Sequence, residues 1–241
     1  MLEPKGTYTD QHQVEFYECD FAERMKLSSL MRVLQQTAEN QMNDMGLDYQ
    51  TMLAKHSMAF LVSRLMLQVG RMPVLGQQLQ VSTCPLGTRG AQFFRETDAI
   101  SGGETLVKLY TSWTLFDPAA RKILRPDAFP KAVVNGVLDI DPHELRFATQ
   151  KGGLAGRRPV RYSDLDPNGH VNNAAYFDII CDMLPLEALR RAAPRRVCLY
   201  YDHEALPGQD LCLYQAEANG EYHLMGEQGE HRCFEARVTL G

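Results

Sequence analysis

The sequence has no long apolar run and no excess of basic charge. Its longest clean apolar stretch, MAFLV at 58–62, is far too short to cross a bilayer, so we expect no membrane insertion. The 25 basic and 30 acidic residues give a formal net charge of −5, and nothing in this balance indicates a nucleic-acid partner. An acidic partner would need a local basic patch, because the net charge repels it.

The start of the chain and the cysteines also lack familiar signals. MLEPKGTYTDQHQ is polar and has no basic segment followed by an apolar one, so we expect no signal peptide. The six cysteines form no CxxC pair and no spacing typical of metal ligands. We therefore interpret them as reduced core cysteines of a cytoplasmic protein and expect no metal site.

What the sequence does contain is an internal repeat. Residues 14–26, VEFYECDFAERMK, align with residues 160–172, VRYSDLDPNGHVN, at an offset of 146 (14 to 160). Residues 64–81 align with residues 196–213 at an offset of 132 (64 to 196). The two matches keep the same order, which predicts two copies of one fold with longer loops in the first copy.

Each copy reads as a strand, a helix and several further strands. In the first copy, apolar residues recur every three or four positions from Leu27 to Met45, which predicts a helix that Gly46 can end. In the second copy, the helix predicted from about Asn173 to Leu184 is apolar almost all round. Such a helix is buried, so a sheet must wrap it.

These elements predict an α+β fold of two tandem hot-dog domains, each a curled antiparallel sheet around a central helix. With 241 residues, 44% of them apolar, the chain is long enough for two small domains. We place the first domain at 1–128, a linker at 129–156 and the second domain at 157–241. Gly and Asn breaks such as SGG and ANG mark the hairpins between strands.

The most distinctive segment is DLDPNGHVNN at 164–173, just before the apolar helix of the second copy. At the same offset, the first copy has Ala22 where the second has Asn168, and Arg24 where the second has His170. Residues needed only for packing should recur in both copies. Those confined to one copy are better candidates for chemistry.

The string SDLDPNGHVNNAAY resembles the active-site segment of the acyl-carrier-protein thioesterases of plants and bacteria, which are tandem double hot-dog proteins. The resemblance covers essentially the whole chain and implies release of fatty acid from acyl carrier protein, with a non-catalytic first copy. It implies that Asp166, Asn168 and His170 belong to the site. It also places a catalytic carboxylate at Glu204, in YYDHEALPG, where Ala205 replaces the family's adjacent cysteine and argues against a thiol nucleophile. No cofactor is implied, since the substrate itself carries phosphopantetheine.

Hydrolysis of a thioester needs a nucleophile, a place for negative charge and a proton for the leaving thiolate. We expect water to attack, with Glu204 as the base and His170 orienting or sharing the proton, and the reverse assignment is nearly as good. Asn168 would position the water or the carbonyl. Asp166 would orient Asn168 or the loop, although it could equally cap the turn, because Asp20 repeats it.

The start of the second copy's helix supplies the predicted site for negative charge. Helices leave their first backbone N–H groups without partners inside the helix. We therefore predict that the backbone N–H groups of Val171 and Asn172 form an oxyanion site.

Two arginine clusters flank the motif, RRPVR before it and RRAAPRR after the helix. Acyl carrier protein is acidic, so these clusters suit docking, while any single arginine could equally be a solvated surface residue. The predicted docking residues are Arg157, Arg158, Arg161, Arg190, Arg191, Arg195 and Arg196.

Two other functions remain open on the sequence. Acyl-CoA thioesterases of the single hot-dog class share a similar string, and turnover on acyl-CoA against acyl carrier protein would separate the two enzymes. A non-catalytic acyl-binding module would tolerate the loss of His170 and Glu204. A homodimer is also compatible with the sequence, although the tandem copies already mimic a hot-dog dimer.

Overall fold

The computed structural model describes residues 6–131 and 141–241. The first copy contains β1 (Tyr8–Gln13), α1 (Leu27–Asp44), α2 (Tyr49–His56), β2 (Ala59–Val69), β3 (Gln78–Arg89), β4 (Gln92–Ser101), β5 (Glu104–Asp117) and β6 (Lys122–Ile123). The second copy contains β7 (Gly153–Pro159), α3 (Ala175–Met183), α4 (Leu186–Arg191), β8 (Pro194–Tyr201), β9 (Asp210–Ala218), β10 (Glu221–Gln228) and β11 (His231–Leu240). Short 3-10 helices lie at Phe16–Glu18, Pro126–Ala128, Pro142–Leu145 and Tyr162–Asp164.

The strands of both copies form one antiparallel sheet. Its order is β1-β3-β4-β5-β2-β8-β11-β10-β9-β7, with β6 paired to β5. The strand order of the second copy is thus the mirror image of that of the first. The two copies join where β2 pairs with β8. Helices α1 and α3 pack together, and Arg32 of α1 lies 3.5 Å from Asp178 of α3. The predicted α+β double hot-dog fold is confirmed.

Hydrogen bonds in the loop before each central helix follow the predicted offset. The N–H of Asp20 donates to the carbonyl of Arg24 at 2.8 Å, and the N–H of Asp166 donates to the carbonyl of His170 at 3.0 Å. An isolated bridge joins Cys19 to Met25 in the first loop and Leu165 to Val171 in the second. The two copies therefore share one loop geometry as well as one sheet order.

Both central helices are held by the apolar residues that the pattern indicated. Helix α1 ends at Asp44, and Gly46 takes φ +69°, which favours glycine. Helix α3 is buried, as predicted, with Phe177 and Ile180 fully inaccessible. It begins at Ala175 rather than near 173, because the side chain of Asn172 accepts the N–H of Ala174 at 2.8 Å and holds a turn there.

The second copy begins earlier than the predicted boundary at 157. Strand β7 starts at Gly153 and pairs with β9, so the end of the predicted linker belongs to the sheet. A Cβ atom at Gly152 would lie only 1.8 Å from the carbonyl oxygen of Gln215, which leaves room for glycine alone. The middle of the predicted linker, 132–140, lies outside the described residues.

The described residues share three further properties. None of their helices combines the length and the apolar character that a membrane crossing requires. They also contain no group of three or more His, Cys, Asp and Glu side chains arranged to hold a metal ion. All six cysteines are free thiols.

Candidate active site

The distinctive segment forms a tight loop between the 3-10 helix Tyr162–Asp164 and α3. Asp166 holds this loop together, because its Oδ1 accepts the backbone N–H of Asn168 at 2.8 Å. Its other oxygen, Oδ2, lies 3.4 Å from the amide nitrogen of Asn168. Gly169 takes φ +82°, a conformation that lets the loop turn back and that side-chain-bearing residues rarely adopt.

His170 lies between two carboxylates. Its Nδ1 is 3.4 Å from Oδ2 of Asp166, and its Nε2 is 3.9 Å from Oε1 of Glu204. The side chains of Asp166, His170 and Glu204 are 13%, 22% and 63% exposed, so the row runs from the interior towards solvent. Atoms 3.9 Å apart do not hydrogen-bond directly, but both can bond one water molecule.

Glu204 lies in the loop after β8 rather than on a strand. The alignment that pointed to it has structural support. The N–H of Met25 donates to the carbonyl of Pro73 at 2.8 Å, and the N–H of Val171 donates to the carbonyl of Ala205 at 2.9 Å. The donors of these two bonds are related by the first offset (25 to 171), and the acceptors by the second (73 to 205). Glu204 therefore occupies the position that Met72 has in the first copy.

The two equivalent aspartates have the same backbone role. Oδ1 of Asp20 accepts the N–H groups of Ala22 at 2.8 Å and Arg24 at 3.1 Å, and its Oδ2 pairs with the guanidinium of Arg24. In each copy, the aspartate therefore closes the loop and contacts the side chain four residues later. Asp166 is a positioning residue on this geometry, and what differs between the copies is the side chain it holds.

Tyr49 completes the candidate site from the first copy. Its hydroxyl donates to Oδ1 of Asn168 at 2.5 Å, which fixes the orientation of the Asn168 amide. Tyr49 is not among the residues predicted from the sequence, since nothing in its neighbourhood relates it to a loop more than a hundred residues away. The first copy's loop has a reciprocal contact, where Arg24 donates to the carbonyl of Leu189 at 2.7 Å. The loop of each copy therefore contacts the short second helix of the other copy, α2 in one case and α4 in the other.

The predicted oxyanion site at Val171 and Asn172 is wrong. The N–H of Val171 donates to Ala205, and the N–H of Asn172 donates to the carbonyl of Asp164 at 2.8 Å. Both bonds recur in the first copy and belong to the loop framework. The N–H of Asn173 comes next along the chain and has no acceptor in the part of the protein that the structure describes.

The buried Tyr176 and the partly buried Tyr201 lie beneath the loop. Tyr201 donates its hydroxyl to the carbonyl of Asn173 at 2.9 Å, and its ring meets that of Tyr176 edge-on, with centroids 5.3 Å apart. Burial raises the pKa of both phenols, so both remain protonated at neutral pH. They give the start of α3 a rigid support.

One cysteine lies closer to the site than the sequence indicated. Sγ of Cys233 is 3.9 Å from the backbone carbonyl of Glu204. Its side chain is only 1% exposed, and burial raises the pKa of the thiol to about 11. A protonated, inaccessible thiol is a poor nucleophile, which agrees with the expectation drawn from Ala205.

The predicted docking arginines do not form one surface beside the site. Arg158 is committed to a bidentate pair with Asp164, at 2.8 and 2.7 Å. Arg195 donates to the carbonyls of Val69 and Gly70. Arg158 and Arg195 were predicted to be free for docking, and this is wrong, because both guanidinium groups are bonded within the fold.

Position along β8 argues against a second pair. Arg195 and Arg196 lie at the start of this strand of eight residues, whereas Glu204 lies in the loop after its end. About 17 to 20 Å of strand therefore separates the two arginines from Tyr201, where that loop begins. Arg196 also lies 3.8 Å from Glu144. Arg190 lies over the ring of Phe21, beside the first copy's loop. Arg195, Arg196 and Arg190 are thus placed away from the candidate site.

The remaining docking candidates are exposed. Arg157 lies on β7, Arg161 directly precedes the 3-10 helix that leads into the motif, and Arg191 ends α4. Within residues 6–131 and 141–241, none of the three forms an ion pair with a carboxylate. Arg157 and Arg161 lie on the segment that enters the site.

One sheet wrapped around two central helices, with an Asp–Asn–His loop in the second copy alone, defines a double hot-dog protein with one candidate site. Residues 5–129 match the family model for the acyl-ACP thioesterase N-terminal domain, and residues 150–235 match that for the C-terminal domain. The chain therefore belongs to the acyl-ACP thioesterase family.

Curated relatives are plant enzymes. A chloroplastic acyl-[acyl-carrier-protein] hydrolase of Cuphea viscosissima is 25% identical over 244 residues, covering 93% of this chain and 58% of the relative. A chloroplastic palmitoyl-acyl carrier protein thioesterase of Gossypium hirsutum is 25% identical over 224 residues, covering 86% of this chain and 53% of the relative. The chain thus spans little more than half the length of these relatives.

Solved structures share the whole fold. An acyl-ACP thioesterase from Bacteroides thetaiotaomicron superposes with a TM-score of 0.89 at 22% identity and covers 100% of both chains. A 12:0-ACP thioesterase from Umbellularia californica gives a TM-score of 0.83 at 17% identity, covering 98% of this chain and 97% of that one. At these identities the likeness shows the tandem fold alone.

Proposed function

We propose that this protein hydrolyses the thioester bond of fatty acyl-acyl carrier protein and releases free fatty acid, which would end chain elongation in fatty acid biosynthesis. One observation carries the proposal: the row Asp166–His170–Glu204 exists only in the second copy, on a loop framework that the first copy reproduces with Asp20, Arg24 and Met72. Membership of the thioesterase family supports the reaction class.

The geometry supports a water nucleophile. A carboxylate beside Nδ1 of His170 favours the tautomer that carries its proton there, which leaves a lone pair on Nε2. Nε2 can then take a proton from a water molecule that Glu204 also binds, and the oxygen of that water attacks the thioester carbonyl. The imidazolium next gives its proton to the departing thiolate, which leaves as the carrier's free thiol beside the carboxylic acid product. In the reverse assignment, Glu204 takes the proton and His170 orients the water.

The tetrahedral intermediate needs donors for its oxyanion. We propose the amide of Asn168 and the backbone N–H of Asn173, which replace the two groups expected from the sequence. Tyr49 supports this role, because its bond to Oδ1 of Asn168 directs the Nδ2 donor away from itself. Oriented donors of this kind contribute a large share of catalysis in acyl transfer.

The proposed partner is acyl carrier protein with its acyl-phosphopantetheine group, and no separate cofactor enters the mechanism. Docking would use the exposed Arg157 and Arg161, which lie on the segment entering the site. We also propose a cytoplasmic location, supported by six cysteines that form no disulfide. A homodimer stays an expectation from the sequence.

The test is release of free fatty acid from purified acyl-acyl carrier protein, followed by mass spectrometry across a range of chain lengths. We expect turnover by the wild type and a loss of at least about two decades for His170→Ala, with acyl-CoA a poorer substrate. Equal or better turnover of acyl-CoA would assign the protein to acyl-CoA hydrolysis. Binding of the acyl chain without release would identify a binding module instead.

A further inference from the structure

The interior of the first copy contains a band of polar side chains between two apolar regions. On one side, Leu30, Leu34 and Leu67 are fully buried between α1 and the sheet. On the other side lies a cluster that includes Phe93 and Trp113. The polar band consists of Thr37, Gln41, Thr83, Arg95, Thr97 and Thr111.

The band is continuous across α1 and three strands. Thr83 of β3 faces Thr97 of β4 in the sheet register, and their hydroxyl oxygens are 2.8 Å apart. Arg95 of β4 faces Thr111 of β5. Gln41, in the last turn of α1, closes the band from the helix side by accepting from Arg95 at 2.5 Å. A hot-dog interior that bound only a hydrocarbon chain would need none of these polar groups.

Arg95 is the charged member of the band, and the groups that it contacts directly are neutral. Its Nη1 donates to Gln41 and to Oγ1 of Thr83 at 2.9 Å, and both acceptors are neutral. It forms no ion pair with a carboxylate of the described chain, and Glu39 acts on it only from a distance. Burial lowers the pKa of its guanidinium to about 10. A cation placed deep in the fold against neutral partners is costly, which indicates a use beyond packing.

The guanidinium is open on one edge. It has five N–H donors, and the two on Nη1 are the ones that bond Gln41 and Thr83. The three on Nε and Nη2 have no acceptor among residues 6–131 and 141–241, and Arg95 keeps accessible surface although it lies deep in the fold. The Nε–Nη2 edge of arginine is suited to binding oxygen acceptors in a forked geometry.

The band is connected to the candidate active site through α1. Gln41 lies in the last turn of this helix, and the chain that follows carries Tyr49 to its hydrogen bond with Asn168. An acyl chain whose thioester lies at the Asn168 loop and whose tail enters the first copy along α1 would therefore meet Arg95.

We propose, on the basis of the thioester hydrolysis proposed above, that Arg95 with Thr83 and Gln41 recognises an oxygen function on the distal part of the acyl chain. The substrate class is an acyl chain that carries a hydroxyl, keto or carboxylate oxygen. Such an oxygen accepts hydrogen bonds from the open N–H groups of Arg95, whereas a plain hydrocarbon tail offers them no acceptor.

The experiment compares acyl-acyl carrier protein substrates of equal length, plain or with a hydroxyl or keto group at successive distal carbons, or with a terminal carboxylate. We expect kcat/KM for the best oxygenated chain to exceed that of the plain chain by about tenfold or more, the scale of a hydrogen bond to a charged group. Arg95→Met should bring this ratio near one, and the milder Thr83→Val should lower it in part. Arg89→Met, which removes an exposed arginine of β3, should leave the ratio unchanged.

Several results would overturn the proposal. A wild type without preference for any oxygenated chain would do so, and so would an Arg95→Met variant that only accepts longer plain chains, since Arg95 would then be a stop for the tail. Thermal unfolding checks that each variant is folded. Calorimetric binding of free oxygenated and plain fatty acids to the wild type and Arg95→Met repeats the comparison without turnover. A binding preference lost in Arg95→Met would support the site even if hydrolysis failed, and an equal affinity would refute it.

Discussion

Replacing Asp166 by asparagine tests how His170 is prepared for catalysis. An asparagine oxygen can still accept the backbone N–H of Asn168, so the loop should keep its shape. The group near Nδ1 of His170, now 3.4 Å from a carboxylate oxygen, would become an amide that can present N–H instead. The imidazole would then favour a proton on Nε2, and the lone pair that takes the water's proton would be lost.

We expect this change to lower kcat by about two decades, the lower end of the range for positioned acid–base groups, or about 2.7 kcal/mol of transition-state stabilisation. The lower end follows from the 3.4 Å contact, which is longer than a charge-assisted hydrogen bond of about 2.8 Å. KM should change little, since the substrate's binding surface is preserved. The assay is steady-state release of fatty acid from acyl-acyl carrier protein.

The first copy supplies the matched control. Asp20→Asn disturbs an equivalent loop, where the aspartate holds the backbone of Ala22 and Arg24, but it touches no candidate catalytic group. It should leave kcat near the wild-type value. Similar losses of kcat in both variants would mean that the effect is structural. Near-normal kcat in Asp166→Asn, with an inactive His170→Ala, would refute the tautomer argument.

Four further predictions concern the base, the thiols, the loop anchor and docking. Glu204→Gln should cost about two decades in kcat if its carboxylate takes or orients the proton, and normal turnover would leave His170 as the only base. Thiol alkylation under native conditions should leave hydrolysis intact, and complete inactivation of a still-folded protein would contradict the water nucleophile. Burial alone would raise the pKa of Asp164, but its bonds to Arg158 lower it. The stability this carboxylate adds should therefore be present above the unfolded pKa of about 3.9 and lost as pH falls through the lower folded value, so denaturant titrations of Asp164→Asn should show a flatter acid limb. Charge reversal of Arg157 and Arg161 should raise KM for carrier-protein substrates, in a salt-dependent way, more than for a short pantetheine thioester, and equal effects would place docking elsewhere.

The repeat made most of the fold predictable. The offset that relates Asp20 to Asp166 also relates individual hydrogen bonds, because the aspartate of each loop accepts the backbone N–H two residues later. The apolar pattern of α1 and the buried character of α3 were predictable because helix periodicity is a local property of sequence. The start of α3 was misplaced, since Asn172 uses its side chain to hold a turn before the helix.

The sequence indicated which side chains belong to the candidate site, but not which backbone N–H groups are free to bind a ligand there. The N–H groups of Val171 and Asn172 bond to Ala205 and Asp164, and those acceptors are set by tertiary contacts that no local pattern reveals. Tyr49 was missed for the same reason, as its contact arises from the pairing of two copies. Arg195 and Arg196 could not be placed from the sequence either, because β8 carries the chain away from them before the loop of Glu204 begins.

The junction between β2 and β8 has a consequence for how this chain can be divided. Here the register pairs Leu65 with Leu199 and Leu67 with Val197 in the middle of the sheet. Each half therefore ends at a strand that has one edge paired within its own half and the other edge paired only by the other half. A protein fragment holding one copy would expose that row of N–H and C=O groups along a largely apolar strand, a template for self-pairing. Joining both halves in one polypeptide pairs this strand edge within the molecule, so the two halves can diverge in sequence while they stay together.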